Sequence, residues 1–372
     1  MRVLHAAAWA RPPVGVVHQM EAEQRAANEL ALSWRTRIFC PQGALPDSPV
    51  GIARGPALKP TVGGTAARLR SRLHLLSEYY RWLRQEQEQT DLLLLRYRAY
   101  DPLQAAFVMG SRRPIALVHH TLEGPELASG GAVGQALSLL DGASGAMTLR
   151  SASAIVGVTR EILAYESARL GGSGKPTFLY PNGIDWTGSR ADDARGEVVE
   201  LLFVASEFAP WHGLDRLLDS MRVSPLRCVL HVVGEVGEAD RRSASNDARV
   251  VLHGRLGSER IRELAGRSVL GLSSFALERK SMFEACALKV REYLMLGLPV
   301  YAGYREVLPR EFRFYRQGPA DLETILSYAQ QVRPVGRETV AAAAREHVEK
   351  KSLLGALVSS LTECFGARSK QR

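Results

Sequence analysis

The sequence predicts a two-domain α/β protein in which each domain is a parallel sheet with helices on both faces. The chain has 372 residues, which exceeds one ordinary hydrophobic core and suits two domains. Short apolar runs of strand length alternate with helix-compatible segments along both halves. A strong turn, Pro181-Asn182-Gly183, separates the halves, because proline presets φ and Asn-Gly tolerates positive φ.

In the first half, apolar runs predict strands at 2–7, 37–40, 92–96, 114–119, 154–158 and 176–179, with a helix over about 16–32. In the second half, they predict strands at 198–204, 228–233, 250–253, 269–272 and 299–301, and helices at 214–221, 258–264 and 288–296. The last helical stretch, about 339–365, has no strand after it. We expect domains at 1–183 and 184–340, and a C-terminal helical segment at 341–372 that can cross back to the first domain.

The chain is basic, with a formal charge of +9. A basic surface suits nucleic acid, anionic lipid or a phosphorylated ligand. Five arginines at 68, 70, 72, 81 and 84 share one helical stretch with Tyr79, Tyr80 and Trp82. Such a stretch fits either a helix lying on anionic lipid or a domain helix with a solvated edge. Sequence-specific nucleic-acid binding is disfavoured because neither a zinc finger nor an aromatic strand motif is found.

The cysteine and hydropathy patterns indicate in which cellular compartment the protein is expected. The four cysteines lie far apart and form no C-x-x-C pair, so neither a zinc site nor a disulfide framework is predicted. Arg11-Pro12-Pro13 interrupts the apolar N-terminus, which disfavours a signal peptide. No run of about 18 apolar residues is found. We therefore expect a cytoplasmic protein, and peripheral contact with the inner face of the plasma membrane is left open.

The most informative segment spans 284–300 and contains two glutamates, Glu284 and Glu292, eight positions apart. On one continuous helix they would share a face only roughly. A better arrangement places Glu284 in a loop and Glu292 one turn inside the helix that follows. Gly297 would then end that helix, and Pro299 would open the next strand.

This arrangement suits a nucleotide-diphosphate sugar. Backbone N–H groups of Ala287, Leu288 and Lys289 at the helix start can bind the diphosphate, with help from the helix dipole. Glu292 can accept hydrogen bonds from ribose hydroxyls, and Glu284 can do the same for hydroxyls of the sugar.

The segment resembles the E-x7-E motif and G-x-P-V continuation of retaining glycosyltransferases of the GT-B fold, family 4. Glu284, Glu292, Gly297, Pro299 and Val300 stand at that spacing. The turn at 181–185 and the stretch 203–218 resemble the family's interdomain turn and the opening of its second domain. Residues 279–280 and 288–293 are similar to a bacterial polysaccharide-type branch. The resemblance extends over most of the chain.

The resemblance implies two Rossmann-like domains facing across a cleft. It also implies a hexosyltransferase that moves a sugar, with retention, from a nucleotide-sugar donor to an acceptor hydroxyl on a glycan or lipid-linked acceptor. The expected setting is bacterial cell-surface polysaccharide or glycoconjugate synthesis, without nucleic-acid partners. No cofactor is expected, because the nucleotide sugar is a substrate. The chain lacks a D-x-D triplet, so no metal is required.

The resemblance also places residues of the first domain. His120, followed by Thr121, matches a family position that faces the donor sugar and is predicted to be catalytic with Glu284. Gly15 matches, as a single glycine, the glycine-rich loop after the first strand. His212-Gly213 stand where many members carry Arg and Lys. The cation that holds the diphosphate is therefore left open among Arg279, Lys280 and Lys289.

Two further interpretations stay open. A sugar-nucleotide epimerase of the same architecture would need acid/base groups around the sugar and no acceptor. A catalytically silent homologue acting as a partner subunit would bind nucleotide sugar without turnover, although the intact glutamate pair argues against it.

Overall fold

The computed structural model describes residues 1–41, 44–45, 48–55, 65–172, 174–186, 188 and 190–366. The side chains of residues 53–55, 65, 66 and 68 lie outside this description. The chain divides into two compact units. The first is Met1–Pro181 together with the segment that begins at Lys350, and the second is Asn182–Glu349.

The first unit is a seven-stranded parallel sheet with the strand order β3-β2-β1-β4-β5-β6-β7. Its elements up to Pro181 are β1 (Val3–Ala8), α1 (Val14–Glu29), β2 (Trp34–Pro41), β3 (Gly51–Gly55), α2 (Thr65–Glu86), β4 (Leu92–Arg96), α3 (Pro102–Met109), β5 (Ile115–His119), α4 (Glu123–Ala128), α5 (Gly131–Ser151), β6 (Ala154–Gly157), α6 (Arg160–Arg169) and β7 (Thr177–Leu179). The predicted strand at 92–96 is confirmed, and β3 is a strand that the sequence pattern did not predict.

The second unit has a six-stranded parallel sheet in the order β10-β9-β8-β11-β13-β15, beside a two-stranded pair β12-β14. Its elements are β8 (Glu200–Glu207), α7 (Leu214–Val223), β9 (Val229–Glu235), α8 (Glu238–Ser245), β10 (Val250–Leu252), α9 (Ser258–Arg267), β11 (Leu270–Leu272), β12 (Glu284–Ala285), α10 (Leu288–Met295), β13 (Val300–Ala302), β14 (Arg305–Glu306), β15 (Tyr315–Gln317), α11 (Leu322–Val332) and α12 (Arg337–Val348).

The central strands of both sheets, such as β4, β5 and β11, are buried on both faces, as parallel α/β sheets require. The four leucines Leu92–Leu95 have no exposed surface. Gly297 ends α10 with φ +80, and a Cβ atom there would lie 2.4 Å from Cβ of Arg337. The predicted helix end at this glycine is therefore confirmed, and both conformation and space require the glycine.

Two local predictions were wrong. Glu284 does not lie in a loop but on β12, where it pairs with Arg305 of β14. The last helical stretch is not one helix, because Glu349 is extended (φ −71, ψ 132) between α12 and α13 (Lys350–Phe365). Backbone pairing of Ile184 with Glu349 explains the break.

Helix α13 belongs to the first unit, against which it packs an apolar stripe. Leu354, Leu357, Leu361 and Phe365 recur at helical spacing and are all buried. They share one core cluster with residues of β1, β4, β5 and β6. This packing places the C-terminal segment on the first unit's sheet.

A buried polar cluster lies where α13 begins. The Glu23 carboxylate accepts from Trp34 Nε1 (2.8 Å) and the Tyr180 hydroxyl (3.0 Å), and His5 Nδ1 lies 2.8 Å from it. Burial alone would raise the pKa of Glu23, but His5 and Lys350 outweigh it and hold that pKa at about 2. Lys350 Nζ also lies 4.9 Å from the Tyr180 ring centroid. The ionised Glu23 therefore joins α1, β2 and the start of α13.

The lipid-binding interpretation of the basic stretch on α2 required exposed aromatic rings. Tyr79, Tyr80 and Trp82 are instead 1–4% exposed and pack in the core, so that part of the interpretation was wrong. The exposed residues include three of the five arginines, at 70, 81 and 84. The side chain of Arg68 lies outside the described residues. No helix in the described ranges is both long and apolar enough to cross a bilayer.

The α13 packing predicts the effect of one substitution. Leu357→Ala should lower the free energy of unfolding of the first unit by about 2–5 kcal/mol, because it leaves a cavity beneath the helix. Urea denaturation followed by circular dichroism measures this. Ser359→Ala on the exposed side of α13 is the matched control and should change stability little. Equal stability of the two variants would contradict the described packing.

Candidate functional site

The candidate site of the second unit lies beyond the carboxyl ends of β8 and β11, the edge where parallel α/β sheets bind ligands. A 3-10 turn, Pro210–His212, follows β8, and a second, Leu277–Lys280, follows β11. Backbone hydrogen bonds join the two loops, from Phe275 N–H to the His212 carbonyl at 2.8 Å and from Ala276 N–H to the Trp211 carbonyl at 3.3 Å.

Gly213 makes this close approach possible. Its φ is +68, and a Cβ atom would lie 2.9–3.0 Å from atoms of Phe275 and Ala276. The fold therefore requires glycine at this position, since any larger residue would push the two loops apart. Gly213 also caps α7.

Arg279 braces the same loops. Its guanidinium donates to both carboxylate oxygens of Asp215 at 3.0 and 2.7 Å and to the Pro210 carbonyl at 2.7 Å. This bidentate pairing raises the pKa of Arg279 and lowers that of Asp215. Because Asp215 neutralises its charge, Arg279 is the least suited of the three predicted cations to hold a diphosphate.

Lys280 is exposed, and its ammonium lies 4.6 Å from the ring centroid of Trp211. A cation over an indole face is attracted to the ring, which gives the Lys280 side chain a preferred position at the site. Trp211 was not predicted as a site residue.

The start of α10 presents open backbone donors. Ala287 is its N-cap and offers no side-chain cap, and the Ala287 N–H donates to Oε2 of Glu306 at 3.2 Å. The N–H groups of Leu288 and Lys289 have no acceptor among the described residues. Two of the three predicted N–H donors are therefore available to an anion at the positive end of the helix dipole.

Lys289 is the chemically unusual residue of the site. Its Nζ atom is buried, has no hydrogen-bond partner in the described part of the chain, and lies 5.8 Å from the Phe203 ring centroid. Burial lowers the pKa of Lys289 to about 8, although the charge of Glu292 opposes this. A buried ammonium without a hydrogen-bonding anion is costly, so an anion bound at this position would stabilise it.

The two glutamates differ in environment. Glu284 is 4% exposed on β12. Glu292 is exposed on the first turns of α10, where surrounding protein raises its pKa and the nearby Lys289 charge lowers it in part. Glu292 is thus close to the unpaired ammonium and reachable by a ligand.

His212 contributes a neutral ring. Its Nδ1 accepts the Ala209 N–H at 2.9 Å, so its proton resides on Nε2. Burial, followed by the charges of Lys289 and Lys280, lowers the pKa of His212 to about 4. The histidine can therefore donate one hydrogen bond but does not replace the Arg or Lys of the resembled family.

Behind the start of α10 lies a buried ion pair that the sequence analysis missed. Arg291 has no exposed surface, and its Nη2 lies 3.4 Å from Oε1 of Glu306 and 2.7 Å from Sγ of Cys286. Burial raises the pKa of Glu306 to about 7, although Arg291 opposes this shift. Arg291 is the one charged residue on the buried face of α10, and this could have indicated a buried partner.

His120 and Gly15 lie in the first unit. His120 follows β5 and is half-buried, and burial together with the charge of Arg96 holds its pKa well below the usual value. Gly15 is exposed on the first turn of α1, and a Cβ atom there would meet nothing within 4 Å. His120 is thus a neutral ring at the carboxyl edge of the sheet, whereas the structure shows no steric requirement for Gly15.

His119 has a structural setting. It is fully buried, its Nδ1 lies 3.2 Å from Glu123 and 3.5 Å from Glu166, and its ring stacks on Tyr97. Burial lowers the pKa of His119, but the two carboxylates outweigh it and raise that pKa overall. The three side chains could surround a metal ion, yet Arg169 already pairs with Glu166 at 2.9 Å.

Comparison with solved structures shows the fold. The lipopolysaccharide outer core galactosyltransferase WaaB matches with 11% identity and a TM-score of 0.64 over 97% of this chain and 99% of that one. HepE from Anabaena, solved in complex with UDP-glucose, matches with 16% identity and a TM-score of 0.64 over 98% and 100%. A putative UDP-N-acetylglucosamine 2-epimerase from Listeria monocytogenes matches with 12% identity and a TM-score of 0.57 over 99% and 98%.

No family model matches the sequence, and no curated protein matches it either. The identities to the solved structures are low enough that they establish the fold alone. The predicted fold class, two Rossmann-like α/β domains of the GT-B type, is confirmed.

The unpaired ammonium predicts a pH dependence. Because the pKa of Lys289 is about 8, its cation is present below that pH and is lost above it. The affinity for UDP should therefore fall as pH rises through 8. Lys289→Gln should weaken UDP binding by about 10–100-fold at pH 7 and remove this fall. Isothermal titration calorimetry from pH 7 to 10 measures both.

Lys280→Gln is the matched control, since it removes an exposed cation of the same site. It should retain the wild-type pH dependence. The Lys289→Gln protein without ligand should be at least as stable as wild type, because the substitution removes an uncompensated buried charge. Unchanged UDP affinity in Lys289→Gln would exclude this ammonium from the site.

Proposed function

We propose that the chain is a retaining glycosyltransferase that transfers a hexose from a nucleotide-sugar donor to an acceptor hydroxyl, as the resemblance to family 4 implies. One observation carries this proposal: an unpaired buried ammonium, Lys289, at an open helix N-terminus, three residues before the reachable carboxylate of Glu292. Cation, helix dipole and carboxylate in this order suit a diphosphate followed by a ribose.

Each part of the donor has a partner in the proposal. The N–H groups of Leu288 and Lys289 and the Lys289 ammonium bind the diphosphate. Glu292 accepts hydrogen bonds from the ribose hydroxyls, and Glu284 binds hydroxyls of the transferred sugar. Lys280 supplies further positive charge near Trp211.

The reaction requires stabilisation of the leaving diphosphate. When the bond from the anomeric carbon to the diphosphate oxygen breaks, its electron pair stays on that oxygen. The positive charge of Lys289 and the dipole of α10 stabilise this developing charge. A new bond forms between the anomeric carbon and the acceptor oxygen, whose proton departs with the leaving group. In this proposal the Lys289 charge and the α10 dipole stabilise the leaving diphosphate, which in other enzymes a divalent metal does.

An epimerase is the second candidate, because two similar solved structures carry that description. The two functions differ in their need for an acceptor. Screening UDP-, GDP- and dTDP-sugars by thermal shift should first identify the donor, since a ligand at 100 times its Kd stabilises by about 2.7 kcal/mol. Product analysis of that donor without acceptor then separates the two candidates: an isomerised sugar nucleotide would replace the transferase proposal with an epimerase.

The ribose contact predicts the result of one substitution. Glu292→Ala should weaken UDP binding by about 1.5–3 kcal/mol, because it removes a charged hydrogen-bond acceptor. The loss should be smaller for pyrophosphate, which has no ribose. Glu259→Ala, an exposed glutamate of α9 in the same unit, is the control and should bind UDP as wild type does. Wild-type UDP affinity in Glu292→Ala would place the ribose elsewhere.

The sugar contact predicts a different result for the other glutamate. Glu284→Gln should lower kcat much more than UDP affinity, because the carboxylate contacts the transferred sugar and not the nucleotide. Steady-state kinetics with the identified donor, together with UDP titration, measure the two effects separately. A parallel loss of kcat and UDP affinity would show that Glu284 only maintains the β12–β14 pair.

A further inference from the structure

The first unit contains a basic cavity that is not part of the proposed donor site. It has a volume of about 240 Å³ and lies where β1 and β4 end, at the carboxyl edge of the sheet. Its lining includes Trp9, Arg72, Arg96, Arg98 and Tyr100. Three arginines line it, and none of the lining residues is a carboxylate. A cavity of this size is smaller than a typical site for a drug-sized ligand and suits a single small group.

Arg96 is the central cation of this cavity. Its guanidinium lies 4.9 Å from the Trp9 ring centroid and makes no hydrogen bond to any described residue. Burial lowers the pKa of Arg96 to about 10, which leaves it charged at neutral pH. A largely buried guanidinium has five donors to satisfy, so an anion in the cavity would complete its environment.

The other two arginines are held in place at the cavity. Arg72 Nη1 donates to the Tyr100 hydroxyl at 3.2 Å, and its guanidinium lies 4.9 Å from that ring centroid. Arg98 donates to the Ala8 carbonyl at 2.6 Å and to Asp101 at 3.2 Å. Asp101 thus compensates Arg98, whereas Arg72 contacts only neutral groups among the described residues. The charge of Glu123 acts on Arg96 and in part opposes the effect of burial on its pKa. Because no carboxylate is among the described lining residues of the cavity itself, its lining carries a net positive charge.

Tyr100 shows that this geometry is maintained at a cost. Its φ is +46, a left-handed conformation that is unusual for a bulky residue. The conformation is fixed by a 2.8 Å hydrogen bond from its N–H to Oδ1 of the buried Asp141. Backbone strain of this kind is concentrated at functional sites. Here it positions the ring and hydroxyl that orient Arg72.

We propose that the cavity formed by Arg72, Arg96 and Arg98 binds a phosphate group of the sugar acceptor. The assignment to the acceptor rests on the proposed transferase function, because the donor groups are assigned to the second unit. Guanidinium groups suit the oxygen atoms of a phosphate, and Arg72 and Arg96 supply positive charge, whereas Arg98 shares its charge with Asp101. Arg96 is also near enough to His120 to influence its ionisation, so the phosphate would lie close to the predicted sugar-facing histidine.

The test isolates the first unit by starting from the Lys289→Gln variant, which lacks the unpaired cation of the donor site. Inorganic phosphate is titrated into this variant by calorimetry in a phosphate-free buffer. We expect a remaining phosphate site, which a further Arg96→Gln substitution weakens at least about tenfold. Arg96→Lys should weaken it less. Arg70→Gln, an exposed arginine of the same helix as Arg72, is the control and should leave it unchanged.

Equal phosphate affinity with and without Arg96→Gln would overturn the proposal. Circular dichroism verifies folding, and Arg72→Gln, for which the same loss is expected, replaces Arg96→Gln if the latter does not fold. UDP binding is measured separately, with the Arg96→Gln substitution in a protein that keeps Lys289. Loss of phosphate binding with normal binding of the identified nucleotide supports the acceptor cavity. Absent binding of UDP, GDP and dTDP alike, with an intact phosphate site, refutes only the donor proposal.

Two probes distinguish the source of the phosphate. Methyl phosphate represents a soluble phosphorylated acceptor, and phosphatidylcholine vesicles with or without phosphatidic acid represent a lipid. Binding of methyl phosphate that Arg96→Gln abolishes supports a soluble acceptor. Sedimentation with phosphatidic acid vesicles that the same substitution abolishes supports a lipid-linked one. Vesicle binding that Arg96→Gln leaves intact contradicts a role of this cavity.

Discussion

The geometry of the candidate site in the second unit depends on the buried ion pair between Arg291 and Glu306. Glu306 accepts the N–H of Ala287 at the start of α10 and the N–H of Val307, and Arg291 contacts it from within the helix. Removing either partner would leave an uncompensated buried charge, which is strongly destabilising. The pair therefore fixes the direction of α10 relative to β12 and β14. Helix α10 carries Lys289 and Glu292, and β12 carries Glu284.

The cations of this chain differ in whether a carboxylate pairs with them directly. Arg279 is fully engaged with Asp215 and joins two loops, and Arg291 is engaged with Glu306. Among the described residues, the buried Nζ of Lys289 has no hydrogen-bond partner, and the half-buried guanidinium of Arg96 hydrogen-bonds to no carboxylate. These two cations lie in different units, each at the carboxyl edge of its sheet. Within the described ranges, the only charge that opposes burial is that of Glu292 at Lys289 and that of Glu123 at Arg96.

The sequence predicted what local patterns determine and missed what distant pairing determines. Apolar runs located the bounds of β4 and α10 to within one residue. This was possible because a buried apolar run and a glycine at the helix end are features of neighbouring residues. The pairing of Arg279 with Asp215 joins residues 64 positions apart, so nothing local distinguished Arg279 from Lys289. The two-residue strand β12 is too short for a periodic signal. The run Arg96-Tyr97-Arg98, directly after a predicted strand, was a usable signal for the basic cavity.

In the proposed function, the start of α10 and Lys289 hold the diphosphate of a nucleotide. A crystal structure of the chain with bound UDP tests it most directly. We expect phosphate oxygens about 2.7–3.2 Å from the Lys289 ammonium and from the N–H groups of Leu288 and Lys289. We expect the ribose hydroxyls at the Glu292 carboxylate. A diphosphate bound instead at Arg279, or a ribose away from Glu292, would contradict this assignment of the nucleotide.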